Sequence, residues 1–248
     1  MSASIIEISG VTKTFGGVVA NKDISLTVKE GGITGLIGPN GSGKTTLFNS
    51  IVGYHPIDGG SIYFEGREIS KLRVPQIARL GMLRTFQQTR IYGNMNCVKN
   101  MLISVPHRKA AFTDMFRPYP GDMTEKAEHL LEFVGLYAKR NLLAGDLSFG
   151  QQKLLEFAMA LMNEPTVLLL DEPTAGINPT LINGLIDRLK LANTEFGITL
   201  FVIEHNMRVI MNMADTVYCL AHGEMLASGP PEAVQTDQRV IDAYLGAH

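Results

Sequence analysis

Residues Gly38-Pro39-Asn40-Gly41-Ser42-Gly43-Lys44-Thr45-Thr46 have the types and spacing that hold a chain of phosphates. They fit the phosphate-binding pattern G-x-x-x-x-G-K-[ST] with no mismatch. Glycines let the backbone curl until several N–H groups point inward at one anion. Lys44 brings a mobile positive charge to the β- and γ-phosphates, and the Thr45 hydroxyl is placed to ligate Mg²⁺. A Gly-rich turn before a core helix would not require the Gly-Lys-Thr ending.

Further along, Val167-Leu168-Leu169-Leu170-Asp171-Glu172 reads as an apolar strand ending in two carboxylates. Asp171 at the tip suits a Mg²⁺ ligand acting through water, and Glu172 suits a proton acceptor for an attacking water. A parallel core strand that merely ends in a polar turn has the same pattern. Leu147-Ser148-Phe149-Gly150-Gln151-Gln152 precedes an amphipathic run. The S-x-x-Q spacing of Ser148 and Gln151 suits a capping box, and a capped helix start beside the small Gly150 also suits an anion.

These groups need elements to position them. Ile33–Ile37 reads as a buried strand entering the loop, and Lys44–Val52 as a helix stopped by Gly53. That order aims a helix N-terminus at the phosphates. Ahead of it, alternating Ile6, Ile8, Leu26 and Val28 predict an antiparallel sheet, and Gly59–Gly66 a strand with a tight turn. Pro75–Leu80 reads as a short helix with proline in its first turn. A helical lobe follows between about Thr89 and Asp146. It holds a helix over Asn96–Ser104 and one capped by Thr124, with Ala127, Leu130, Leu131 and Val134 inward and Gly135 at its end. Then come helix Gln151–Met162, strand Thr166–Leu170, helix Pro179–Glu195 and strand Ile198–Ile203. Strand, helix, strand predicts parallel pairing by right-handed crossovers. Thr216–Leu220 and Glu224–Ser228 around His222-Gly223 read as a hairpin, and Arg239–Leu245 as a helix with Val240, Ile241, Tyr244 and Leu245 available for packing.

The net charge of −2 argues against a dedicated nucleic-acid binder. Cys97 and Cys219 stand far apart, in no metal-ligand spacing, and read as buried or free thiols of a reducing compartment. No basic stretch followed by an apolar run opens the chain, so no signal peptide is expected, and no apolar stretch reaches membrane-spanning length. A soluble or peripheral protein is expected.

Taken in order, Gly38–Thr46, Gln87, Leu147–Gln151, Val167–Glu172 and His205 resemble the motifs of the ATP-binding cassette ATPases, over nearly the entire chain. Phe15-Gly16-Gly17-Val18-Val19-Ala20, Arg84-Thr85-Phe86-Gln87, Ala175-Gly176-Ile177-Asn178-Pro179 and Val240–Gly246 further resemble the ATPase subunits of branched-chain amino acid importers. The resemblance implies an α/β P-loop NTPase (RecA-like) core with an N-terminal antiparallel β-subdomain and an inserted α-helical subdomain. Residues 1–248 would form one cassette: 1–88 and 150–230 the nucleotide-binding core with its β-subdomain, 89–149 the helical subdomain ending in the signature motif, and 231–248 a helical tail.

The resemblance also implies roles. ATP and Mg²⁺ are the expected cofactors. Gly38, Pro39, Asn40, Gly41, Ser42, Gly43, Lys44, Thr45 and Thr46 would cradle the phosphates, and Phe15 would stack on adenine or else be an apolar strand end. Thr45, Asp171 and Gln87 would serve the metal, with Gln88 an adjacent alternative to Gln87. Glu172, His205 and Gln87 would be catalytic, with His205 hydrogen-bonding the γ-phosphate. Ser148, Gly150 and Gln151 would touch nucleotide held by a second, identical or homologous cassette paired head to tail. Transmembrane permease subunits and, indirectly, a substrate-binding protein would be the other partners, with no nucleic acid, at the cytoplasmic face of the inner membrane. Urea, amides or aromatic acids are alternative cargoes; a soluble cassette ATPase is disfavoured by the single cassette and the absence of a basic surface.

Three residues depart from the wider pattern: Phe149 replaces a small glycine, Asn178 a common aspartate that it can replace as a helix cap, and Lys99 a frequent acid. Arg90, Ile91, Tyr92 and Met95 are candidates to grip a helix of the permease.

Overall fold

The computed structural model describes residues 3–85, 91–105 and 121–245. It divides into two compact units, one of 1–84, 166–173 and 189–248, the other of 85–165 and 174–188.

In the first unit, β1 (Ser4–Phe15) pairs antiparallel with β2 (Val18–Lys29) and with β4 (Gly59–Phe64), which pairs with the short β5 (Arg67–Glu68). Ile6 faces Val28 and Ile8 faces Leu26 in register, so the alternation read in the sequence becomes one apolar face. The second sheet runs β10-β9-β3-β8-β7-β6. Here β3 is Ile33–Ile37, β6 Met82–Arg84, β7 Val167–Asp171 and β8 Thr199–Ile203, all parallel, with β9 (Thr216–Ala221) beside β3. On the edge, β10 (Glu224–Gly229) turns back on β9 through His222 and Gly223, both at positive φ (51 and 78°), as a two-residue hairpin requires. Strands β3, β7 and β8 are buried at every position, as fits a parallel sheet covered on both faces.

Helix α1 (Lys44–Ile51) follows β3, and Gly53 at φ 73° ends it. Its Leu47, Phe48 and Ile51 join Ile6, Ile8, Leu26, Val28 and Phe64 of the antiparallel sheet and Leu36, Phe201 and Ile203 of the parallel sheet in one core. The Phe48 and Phe201 rings meet 4.8 Å apart at its centre. Short helices α2 (Val74–Arg79), α7 (Met207–Met213), α8 (Pro231–Gln235) and α9 (Gln238–Leu245) complete this unit, together with the C-terminal part of α6 (Pro179–Phe196).

In the second unit α3 (Cys97–Ile103), α4 (Gly121–Phe133) and α5 (Phe149–Leu161) pack on one another. Asn96 caps α3 by accepting from Lys99 N–H (2.9 Å). Buried Asn100 donates to the carbonyls of Tyr92, Met95 and Asn96 and accepts from Tyr92 N–H (2.7 Å), which ties down the segment before α3. Helix α4 starts at Gly121 rather than after Thr124, so Thr124 lies inside the helix and does not cap it; Asp122 in the first turn suits the helix dipole instead. Ala127, Leu130 and Leu131 are its buried face, as expected.

Among the described residues no helix is long and apolar enough to cross a membrane. Replacing Phe201 with Ala should cost about 3–5 kcal/mol, because the ring is fully buried against Phe48 and leaves a cavity. Chemical denaturation followed by circular dichroism reads this; a loss below about 1 kcal/mol would mean the site collapses around the gap.

Candidate functional site

Strand register decides which residues meet. Leu36 pairs with Ile203 across β3 and β8, and Asp171 pairs with Ile203 across β7 and β8. The carboxyl ends of these strands are therefore level. The loop after β3, Asp171 at the end of β7 with Glu172 just beyond it, and the residues after β8 all lie at the carboxyl ends of the strands, where open α/β sheets bind ligands.

The loop itself is shaped by glycine. At Gly38 (φ 146°) an added Cβ would lie 2.1 Å from the carbonyl oxygen of Leu220, and at Gly43 (φ 99°) 2.3 Å from that of Ala20. Lys44, buried in the first turn of α1, folds back over the loop. Its ammonium donates to the carbonyls of Gly38 (2.8 Å) and Pro39 (3.0 Å). Burial lowers the Lys44 pKa, opposed by the nearby negative charge of Glu172 and Asp171. Neutral carbonyls are weaker partners for an ammonium than phosphate oxygens, so this lysine has more to gain from an anion in the loop. Asn40, Gly41 and Thr45 are exposed at the mouth, while Pro39, Gly43 and Thr46 are half-buried and Ser42 is buried.

Asp171, buried at the end of β7, is held by Arg84 from β6: Nη2 donates to Oδ2 at 2.5 Å, and Nη1 donates to Asn49 Oδ1 of α1. Both side chains of the ion pair are buried, so each charge depends on the other. Glu172 takes a left-handed backbone conformation, φ 50°, unusual for a residue with a side chain. Its N–H donates to Ile203 O (2.9 Å), and its Oε1 is hydrogen-bonded to Nε2 of His205. Two of the three sequence-predicted catalytic groups are thus in direct contact. The hard oxygens of Thr45 and Asp171 match what Mg²⁺ accepts.

Phe15 ends β1, 43% exposed, with its ring edge-on to His55 at 5.2 Å, and His55 in turn lies edge-on to Tyr54. It is an exposed aromatic group at a strand end, a place that suits either reading of Phe15. Gln87, with Gln88 and Arg90, lies outside the described residues.

Ser148, Gly150 and Gln151 belong to the second unit, at the start of α5. Ser148 is the N-cap residue, and its N–H donates to Gln151 Oε1 (3.1 Å), as the capping-box spacing predicts. The helix starts at Phe149, two residues earlier than expected, because that bond lets the first turn close directly on Ser148. The Phe149 ring lies against Gly176, where an added Cβ would be 2.9 Å from it. Asn178 caps α6 by accepting from Thr180 N–H (3.1 Å).

Arg84, Asn49, His55 and Tyr244 were missed as site residues. Arg84 had one signal, a charge inside an otherwise apolar strand. Tyr244 reads in sequence as a packing residue, yet its hydroxyl accepts from Gly38 N–H at 2.8 Å. Both cysteines are buried core thiols; burial pushes Cys219 up to about 11 and Cys97 upward.

A phosphate loop after the central strand, a carboxylate pair at the neighbouring strand ends and a separate helical unit carrying a capped signature helix define an ATP-binding cassette. The family described as ABC transporter matches residues 21–175, and one described as branched-chain amino acid ATP-binding cassette transporter matches residues 224–248. The chain is 40% identical to the high-affinity branched-chain amino acid transport ATP-binding protein BraF of Pseudomonas aeruginosa, over 99% of each. It is 34% identical to LivG of Escherichia coli, of the same description, again over 99% of each. Among solved structures it is similar to the ADP conformation of MJ1267, an ATP-binding cassette of an ABC transporter. There the TM-score is 0.89 at 33% identity, over 99% of this chain and 100% of that one. The ATP-binding cassette MJ0796, a dimer in a post-hydrolysis state bound to ADP and Pi, gives 0.76 at 26% identity over 91% and 98%. This chain belongs to the ABC transporter family, as an ATP-binding cassette ATPase.

Arg84→Met should destabilise the protein by about 3–5 kcal/mol, because it strands the Asp171 carboxylate in the core. The double variant Arg84→Met with Asp171→Asn should be the milder of the two in chemical denaturation. Equal losses would mean that the ion pair does not govern this part of the core.

Proposed function

We propose that this chain is the motor subunit of an importer of branched-chain or related amino acids, hydrolysing ATP in two shared sites between paired cassettes. The contact between Glu172 and His205 at the mouth of the phosphate loop carries the hydrolytic part of this reading. The names of the relatives, BraF and LivG, support the cargo.

In this reading Phe15, with His55 beside it, receives the adenine, and the loop Gly38–Thr46 wraps the phosphates. Lys44 exchanges its carbonyl partners for β- and γ-phosphate oxygens. Mg²⁺, when bound, neutralises the charge on those oxygens. Thr45 and Asp171, with Gln87, would hold it, and Arg84 aims the Asp171 carboxylate. Glu172 accepts a proton from the attacking water as its oxygen bonds to the γ-phosphorus and the bond to the bridging oxygen breaks. His205 holds the Glu172 carboxylate and donates toward the γ-phosphate. The left-handed backbone at Glu172 fixes where that carboxylate points.

Ser148, Gly150 and Gln151 act on nucleotide held by the other cassette, through the N-terminus of α5. The dimeric state of the neighbour bound to ADP and Pi supports such pairing. Loss of the γ-phosphate then loosens the pair, and closing and opening drive the permease. In the second unit, 142–145 runs against 93–96, and Tyr92, Leu142 and Leu143 expose apolar surface there. This strip is the proposed seat for a permease helix. The cassette spans the whole chain, with 89–149 as its helical subdomain, and works peripherally at the cytoplasmic face of the inner membrane.

Glu172→Gln should cut ATP turnover by about 10²–10⁴-fold while ATP still binds, because only the proton acceptor is lost. That trapped protein, drawn from native membranes with ATP, should bring polytopic permease subunits with it, identified by mass spectrometry. Full turnover would remove Glu172 from its role, and recovery of soluble partners alone would overturn the importer reading.

A further inference from the structure

Helix α9 has eight residues, Gln238–Leu245, too few to hold together alone in water. Asp237 caps it, accepting from Arg239 N–H at 2.9 Å. Its attachment to the first unit rests on one face. Val240 is 1% exposed, and Tyr244, one turn later on the same side, is largely covered, whereas Ile241 and Leu245 are 37% and 69% exposed. Val240 and Tyr244 are the larger side chains of the docked face, beside the half-covered Ala243, and Tyr244 ends on the phosphate loop.

The Tyr244 hydroxyl accepts from Gly38 N–H, while the Gly38 carbonyl accepts from Lys44 Nζ, each at 2.8 Å. The two peptide planes flanking Gly38 are thus held by different partners, with the glycine at φ 146° between them. An arriving phosphate draws Lys44 away from its carbonyls. The tyrosine bond then becomes the remaining side-chain tie on the entry to the loop. Gly38 has little room to move, given the backbone of Leu220 beside it.

We infer that Tyr244 is a positioning residue of the nucleotide site, whose hydroxyl fixes the entry of the phosphate loop and so links docking of α9 to nucleotide affinity. The linkage is reciprocal: what nucleotide gains from a docked helix, the helix gains from bound nucleotide. Burial raises the Tyr244 pKa to about 12, so the group stays a neutral phenol and adds no negative charge beside the phosphates. Helix α9 lies within the 224–248 segment matched by the branched-chain amino acid cassette family, which gives that segment a role at the active site. The inference rests on nucleotide seating in the loop after β3.

The test is calorimetric titration of MgADP into wild type, Tyr244→Phe and Val240→Ala, together with amide hydrogen exchange of 238–245 with and without MgADP. Tyr244→Phe keeps the ring and removes only the oxygen, and Val240→Ala loosens the helix without touching Gly38. Both should weaken MgADP binding by about three- to tenfold, the worth of one hydrogen bond. Nucleotide should slow exchange in α9 of wild type and lose that effect in Tyr244→Phe. An affinity of Tyr244→Phe within twofold of wild type, or α9 exchange in wild type indifferent to nucleotide, would overturn the inference. Lys44→Ala separates the underlying reading: unchanged MgADP affinity in that variant would overturn the seating of nucleotide in the loop itself.

Discussion

The close backbone approach at Gly38 and Gly43 is the constraint on which the site depends. At these two points the phosphate loop presses against the carbonyls of Leu220 and Ala20, with no room for a side chain. One of these neighbours lies in the parallel sheet and the other in the antiparallel sheet, so the loop is wedged where the two sheets of the first unit meet. The loop is therefore a rigid curl rather than a flexible lid. The backbone curl is thus set by packing and Lys44 is the donor that exchanges partners, which limits what a site spends on reorganisation when it binds charge.

The meeting of Glu172 and His205 follows from strand register. Because Asp171 pairs with Ile203, the residues just beyond each strand fall side by side, and Glu172 meets His205. A slip of one residue would turn each strand over and separate the pair. Arg84 performs a second task of the same kind. It ties Asp171 to Asn49, so the carboxylate at the end of β7, strand β6 and the helix that starts with Lys44 share one hydrogen-bonded cluster. Ionised groups can remain buried there because each has a partner.

Much of this was legible in the sequence. The alternation of Ile6, Ile8, Leu26 and Val28 predicts the antiparallel sheet, because period-two burial puts all four on one face; the register, Ile6 opposite Val28 and Ile8 opposite Leu26, comes from the structure, since a slip of two residues would keep the same face inward. The phosphate loop, its strand and its helix carry a local signature. The remainder depends on groups far apart in the chain. Arg84 gains its partner only when β7 is placed beside β6, and Tyr244, which reads as a packing residue, meets the loop only when α9 is placed against it. The start of α4 was misjudged because Thr124 is a good cap by type, yet the helix pattern continues back to Gly121. Short α7 went unread for lack of enough turns to show a period, although Asn206 caps it. Ser148 and Gln151 read in sequence as a capping box, and the structure shows that box at the start of α5.

The most direct measurement is a nuclear magnetic resonance titration of backbone amides with MgADP. If the curled loop is the nucleotide seat, the amides of Gly41, Gly43, Lys44 and Thr45 should shift most, while those of Lys29–Thr34 at the opposite end of β3 stay in place. Shifts centred elsewhere, with the loop amides unmoved, would contradict the placement of nucleotide at the carboxyl ends of the strands.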